Sequence, residues 1–160
     1  MKSVLMTLLL LVVVSSASAR RIPADSLNSY LEKSVSVLTA HRDNFVKIWE
    51  THESDHSLRE LVMIIKYDLQ MSIVAVENIQ VYFQISEICQ EEISCDGIGF
   101  NVVYLNHYLD QIQKLISVAD HQLTVIQGNE AKKSIEELLR NIIDSISNEE
   151  CRAWILRHFE

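Results

Sequence analysis

Apolar positions recur at steps of three and four through most of this chain. The clearest run is Leu58, Val62, Ile65, Leu69, Ile73, Val76, Ile79 and Phe83. That spacing lays one stripe along a helix, and no Gly or Pro interrupts it. Ser57-Leu58-Arg59-Glu60 reads as a capping box at its start, the serine accepting from a first-turn amide and the glutamate reaching back. The predicted helix runs from Ser57 to about Cys89 and is about 45 Å long. A stripe of that length cannot be buried alone, so other helices must run beside it.

The same period appears on both sides of this element. A first helix, entered through Pro23, Asp25 and Ser26, carries Leu27, Leu31, Val35, Leu38, Phe45, Ile48 and Trp49. Arg42 lies beside that stripe and is expected to snorkel outward. Thr51 to His56 is a polar break before the second helix. Gln90 to Gly99 reads as an acidic loop. A third helix is predicted on Phe100, Val103, Tyr104, Tyr108, Ile112, Leu115, Ile116, Ala119, Leu123 and Ile126, with Gly128 as its left-handed cap and Asn129 capping the next. A fourth carries Ile135, Leu138, Leu139, Ile142, Ile143 and Ile146. Ser147 to Glu150 interrupt it before a last turn with Trp154, Ile155 and Phe159. Four amphipathic helices with short links predict an all-α fold: an antiparallel four-helix bundle with a short C-terminal helix.

Composition narrows this picture. With 160 residues, 48% of them hydrophobic, the chain can build one core and is no disordered polyanion. Three glycines and one proline are too few for the turns of a β fold. Residues 1–19 read as a signal peptide: Lys2, an apolar core from Val4 to Val14, and Ala17-Ser18-Ala19 as cleavage site. That core is shorter than the about 20 residues of a membrane span. Residues 20–160 are then a single secreted, extracellular domain with no membrane insertion. Arg20-Arg21 reads as a charged mature terminus, the alternative being a processing signal. The formal charge of −8 argues against nucleic acid or anionic lipid as partner.

Cys89, Cys95 and Cys151 are an odd count for an exported chain. If the helices alternate in direction, all three lie at one pole. Cys151 is therefore expected to pair with Cys89 or Cys95, closing a loop of about 55 to 62 residues worth roughly 3–4 kcal/mol in the chain-entropy model. The remaining thiol is either buried, leaving a monomer, or bridges a homodimer, and burial is the commoner fate.

Catalytic chemistry is sparse. His52-Glu53-Ser54-Asp55-His56 matches H-E-x-x-H, in which two histidines one helical turn apart hold zinc and the glutamate activates its water. The match falls in the polar break rather than within a helix. Arg59 stands where the longer motif has glycine, and Val62 where it has a third histidine. Glu77 lies at a plausible distance for the shorter variant, as would some glutamate of any such helix. His52, Glu53 and His56 are read as a false positive, with no metal and no cofactor expected. His41, His107, His121 and His158 are scattered, and no nucleophile elbow, phosphate loop or C-x-x-C is present. The chain is not expected to be an enzyme. Tyr67, Tyr82, Tyr104 and Tyr108 fit core positions; the alternative is a cavity for an apolar ligand.

Two islands resemble the interleukin-5-type short-chain helical cytokines. Val37-Leu38-Thr39-Ala40-His41-Arg42 is similar to that family's Leu-Leu-Ser-Thr-His-Arg. Ile88-Cys89-Gln90-Glu91-Glu92-Ile93 followed by Gly97-Ile98-Gly99 is similar to its Leu-Cys-Thr-Glu-Glu-Ile…Gly-Ile-Gly. In the family the second island opens a helix, whereas here it closes one. Cys151-Arg152-Ala153-Trp154 resembles the Cys-Ala-Trp of type I interferons with one residue added. The resemblance implies a secreted signalling ligand that engages a cell-surface receptor through exposed helix faces, with Glu92 as the receptor-binding residue to test. The competing readings are a non-catalytic secreted effector of saliva, venom or reproductive fluid, and a small apolar-ligand carrier.

Overall fold

The computed structural model describes residues 24–89 and 94–158. Residues 1–19, read as a signal peptide, and Glu92 and Phe159 lie outside the described residues. The described residues form five α-helices and no strand: α1 (Ala24–Thr51), α2 (His56–Cys89), α3 (Cys95–Val118), α4 (Gln122–Ser145) and α5 (Glu149–Arg157). They pack as a helical bundle. α1 lies against α2 and α4, α3 against α2 and α4, and α5 against α3 and α4.

The core follows the predicted stripes in α1, α2 and α4. Leu27, Leu31, Leu38, Phe45 and Ile48 are buried from α1. Leu58, Val62, Ile65, Leu69, Ile73, Val76 and Ile79 are buried from α2, while Phe83 is only partly covered. Ile135, Leu138, Leu139, Ile142 and Ile143 are buried from α4, and Ile146 from the residue that follows it. Each such side chain contributes roughly 1.5–3 kcal/mol when fully buried. Polar links cross the seams. Between α1 and α2, the Arg42 guanidinium donates to Gln70 Oε1 at 2.5 Å, and Gln80 donates to Glu32 at 3.4 Å. Between α1 and α4, Asn141 donates to the Tyr30 hydroxyl at 2.6 Å, and Asn44 donates to Gln127 at 2.9 Å.

Three local expectations are corrected. Asp55, not Ser57, caps α2: its carboxylate accepts from the Leu58 amide at 3.0 Å. A carboxylate is favoured at a helix N-terminus by the axial dipole, so the acid two residues upstream wins and Ser57 sits exposed in the first turn. The third helix ends at Val118 rather than at Gly128. The break is Ala119-Asp120-His121, and His121 Nδ1 accepts from the Thr124 amide at 3.4 Å. Gly128 is buried inside α4, where a Cβ would collide with the Ile116 side chain. Its role is close approach of α3 and α4 rather than a left-handed turn.

The largest correction is the face of α3. Its core residues are Ile98, Val102, Leu105, Leu109 and Ile112. Phe100 and Tyr104, expected inside, are 59% and 55% exposed. Both sets satisfy helical spacing, so periodicity alone does not rank them. The aliphatic set takes the interior, and the aromatic set is left on the outside.

At one pole Cys95 and Cys151 lie at disulfide distance, with Cα atoms 5.4 Å apart and a sequence separation of 56. Cys95 opens α3 and Cys151 lies in the first turn of α5, whose cap Asn148 accepts from the Cys151 amide at 2.9 Å. Cys89 is free and exposed at the end of α2, so the buried-thiol expectation does not hold. Its helix ends in solvent, with Ile88 beside it 81% exposed.

Two outcomes follow from this packing. Val76 is fully buried, so Val76→Asp places an unpaired charge in the core and costs more than about 4 kcal/mol. Circular dichroism of the purified variant should show no cooperative melt; a native-like melt contradicts the assigned face of α2. Non-reducing peptide mapping should recover a Cys95–Cys151 linked peptide and an alkylatable Cys89. A Cys89–Cys95 peptide with free Cys151 contradicts the arrangement of the pole.

Candidate functional site

The residues that matched a zinc motif are not on one helix. Thr51 ends α1 with its hydroxyl donating to the Lys47 carbonyl at 2.8 Å, Glu53 and Ser54 form the turn, and His56 opens α2. His52 packs edge-on to His121 with ring centroids 4.6 Å apart, and its Nδ1 lies 2.9 Å from the Ile48 carbonyl. The two rings join the α1–α2 turn to the α3–α4 break. Among the described residues no group of three or more His, Cys, Asp or Glu could hold a metal ion.

His41 and Ser134 form a pair with a nucleophile-and-base look. His41 Nε2 lies 3.0 Å from Ser134 Oγ, and Glu130 is close enough to raise the imidazole pKa against the larger lowering effect of burial. The Ser134 hydroxyl donates to the Glu130 carbonyl at 3.1 Å, so its oxygen is the acceptor toward His41. A general base requires the opposite polarity. The amides around Ser134 belong to the interior of α4, where the helix ladder uses them and no oxyanion site is free. This contact links α1 to α4 and supplies no nucleophile.

Of the four tyrosines considered for an internal cavity, Tyr82 and Tyr108 are half-buried, Tyr82 packing against the core. Tyr67 and Tyr104 are more than half exposed, and Tyr82 lies over Gly97, where no Cβ would fit. The space lined by Tyr30, Val37, Leu38 and Leu138 is an open groove of about 240 Å³ between α1 and α4.

What the outer side of α2 does carry is a second apolar stripe. Ile64, Tyr67, Met71, Val74, Asn78, Val81, Ile85 and Ile88 alternate steps of three and four. All are exposed or half-buried, and Asn78, their one polar member, donates to Asn101 of α3 at 3.2 Å. Strict alternation of this kind is the signature of a seam facing a partner helix. From Tyr67 to Ser86 the only charged side chains are Asp68 and Glu77. α3 continues the surface with Phe100 and Tyr104, and it carries three charged residues where α4, of equal length, carries seven. Sequence reading stopped at the first stripe; the uninterrupted second one was the available signal.

Under this surface lies Asp68, only 5% exposed, with Oδ2 lacking a hydrogen-bond partner among the described residues. Burial pushes its pKa up to about 6, against the opposing pull of His107 on α3. Tyr108 is raised first by burial and then by Tyr67, Asp68 and Tyr104, which gather around it. No Lys or Arg among the described residues forms an ion pair with Asp68. A native protein that buries a carboxylate without a partner gives up stability there.

No protein-family model, curated protein or solved structure matches the chain. The cytokine-like islands therefore rest on their own residues. In the first, Leu38 is core, while His41 and Arg42 hold α1 to α4 and α2. In the second, Ile88 and Cys89 are exposed, and Gly99 makes room for Trp154 of α5.

The raised Asp68 pKa fixes a sign. Below the ordinary carboxylate range both folded and unfolded states hold the proton, and Asp68 carries no charge penalty. As pH rises toward about 6 the unfolded state releases its proton first, so stability falls across that window and stays lower above it. Asp68→Asn removes this loss. Its melting temperature should equal the parent's near the acid end and exceed it by a few degrees at neutral pH. A difference that stays constant with pH contradicts the burial of an ionisable Asp68.

Proposed function

We propose that this chain is a secreted helical signalling ligand that binds a cell-surface receptor protein along the outer face of α2 and α3. In this reading the four long helices alternate in direction as an antiparallel four-helix bundle, with α5 as the short C-terminal helix. Seam contacts support that order: Tyr30, early in α1, meets Asn141, late in α4, and Asn44, late in α1, meets Gln127, early in α4. Export is supported by the leader pattern and by the Cys95–Cys151 pair, which suits an oxidising compartment. No helix among the described residues is long and apolar enough to cross a membrane.

The carrying observation is the second stripe on α2. Ile64, Tyr67, Val81, Ile85, Phe100 and Tyr104 each leave about half of their surface in water. At roughly 100 Å² apiece they expose roughly 600 Å², the upper end for an uncovered patch and near the about 800 Å² per side of a standard interface. The α1 and α4 faces, by contrast, carry the charge: Glu32, Lys33, Asp43, Lys47 and Glu50, then Glu130, Lys133, Glu136, Glu137 and Arg140 are all exposed. Glu92, the position implied by the cytokine resemblance, follows closely after the exposed Ile88 and Cys89 in sequence.

The test is binding of fluorescent mature protein to a panel of live cell types. Saturable binding is expected on responsive cells. Phe100→Glu with Tyr104→Glu should weaken it by about tenfold or more, as loss of a central aromatic anchor does. Lys133→Glu on α4 should leave it unchanged. Absence of saturable binding on any cell type contradicts the receptor reading, and equal loss in the α4 variant contradicts the face.

A further inference from the structure

The outer face of α2 and α3 has a chemical asymmetry that narrows its partner. It is apolar and aromatic along its length, yet it covers a carboxylate whose Oδ2 has no hydrogen-bond partner among the described residues. Asp68 follows the exposed Tyr67 directly, and Tyr67, Asp68 and Tyr104 all lie close enough to Tyr108 of α3 to act on its ionisation. A buried carboxylate under aromatic rims is a receiving site for a cation: the rings attract it by their faces, and the carboxylate neutralises it. Arginine suits this better than lysine. Its guanidinium is flat, stacks on tyrosine, gives up hydration more readily and can present two donors to one carboxylate. Tyr67 and Tyr104 have more than half of their surface in water, so few protein contacts fix their rings.

We infer that the partner bound along α2 and α3 inserts an arginine side chain between Tyr67 and Tyr104 to pair with Asp68. This rests on the receptor-binding reading above and adds to it the chemistry of the contact. The acidic balance of the chain, −8 overall, also favours approach by a basic surface. The burial that costs the free protein stability is offset in the complex, which makes the pair a specificity device as well as a source of affinity. A partner lacking the cation leaves Asp68 buried and unpaired.

The experiment uses the full mature chain labelled with ¹⁵N, above neutral pH and at constant ionic strength. N-acetyl-arginine amide is titrated against its neutral isostere, N-acetyl-citrulline amide. Saturable shifts confined to Tyr67, Asp68, Tyr104, His107 and Tyr108 are expected with the arginine probe. Asp68→Asn and the citrulline probe should each weaken the response about tenfold or more, the loss expected for a charge-assisted hydrogen bond. Equal response in Asp68→Asn, shifts centred on Glu136 and Glu137, or no saturable shift overturns the proposal. Sedimentation supplies the remaining arm: a concentration-dependent dimer abolished by Tyr104→Ser puts a second copy on this face and also overturns it. On cells, parent and Asp68→Asn binding equally sinks the arginine contact alone, whereas a parent that does not bind at all sinks the receptor reading beneath it.

Discussion

Helix α2 is apolar on more sides than its neighbours cover. Its inner stripe, Leu58 to Ile79, is the shared wall of the core, and α1 and α3 close over it from either side. Its outer stripe, Ile64 to Ile88, meets neither helix fully and stands in water. A helix that is hydrophobic all round belongs inside something. Among the described residues no further helix encloses it.

The same constraint orders the rest of the molecule. Because α2 presents aliphatic side chains inward, α3 meets it with Ile98, Val102, Leu105 and Leu109 and turns Phe100 and Tyr104 outward. Glycine appears where helices approach most closely: Gly97 under Tyr82, Gly99 under Trp154 and Gly128 against Ile116. Charge is displaced to α1 and α4, where exposed acidic and basic residues alternate and keep that side solvated. The result is a bundle whose α1 and α4 side carries more exposed charge and whose α2 and α3 side carries more exposed apolar surface, with the buried Asp68 on the latter.

Much of this was legible in the residues. The inner stripe of α2, the α1 and α4 cores and the all-α class follow from period and from scarce Gly and Pro; the break expected at Ser147 to Glu150 falls at Ile146 to Asn148, because Asn148 caps a last helix that already includes Glu149 and Glu150. Less was legible where two signals competed. Ser57 and Asp55 are both capping types, and only the turn geometry chooses between them. Gly128 reads equally as a terminator and as a contact glycine, and Ile116 across the seam decides. The face of α3 is ambiguous because its aromatic and aliphatic sets share the helical period; tertiary packing selects the aliphatic set. Asp68 drew no notice in sequence, since one acid among apolar residues looks like any solvated charge until its neighbours are known.

The account turns on which way α3 faces, because that rotation creates the exposed aromatic surface above Asp68. Hydroxyl-radical footprinting of the free protein, read residue by residue by mass spectrometry, measures it directly. Phe100, Tyr104 and Tyr67 should be oxidised rapidly, while Leu105 and Leu109 stay protected. Protection of Phe100 and Tyr104 with oxidation of Leu105 and Leu109 would mean that α3 is turned about its axis, and the surface on which the proposed partner docks would not exist.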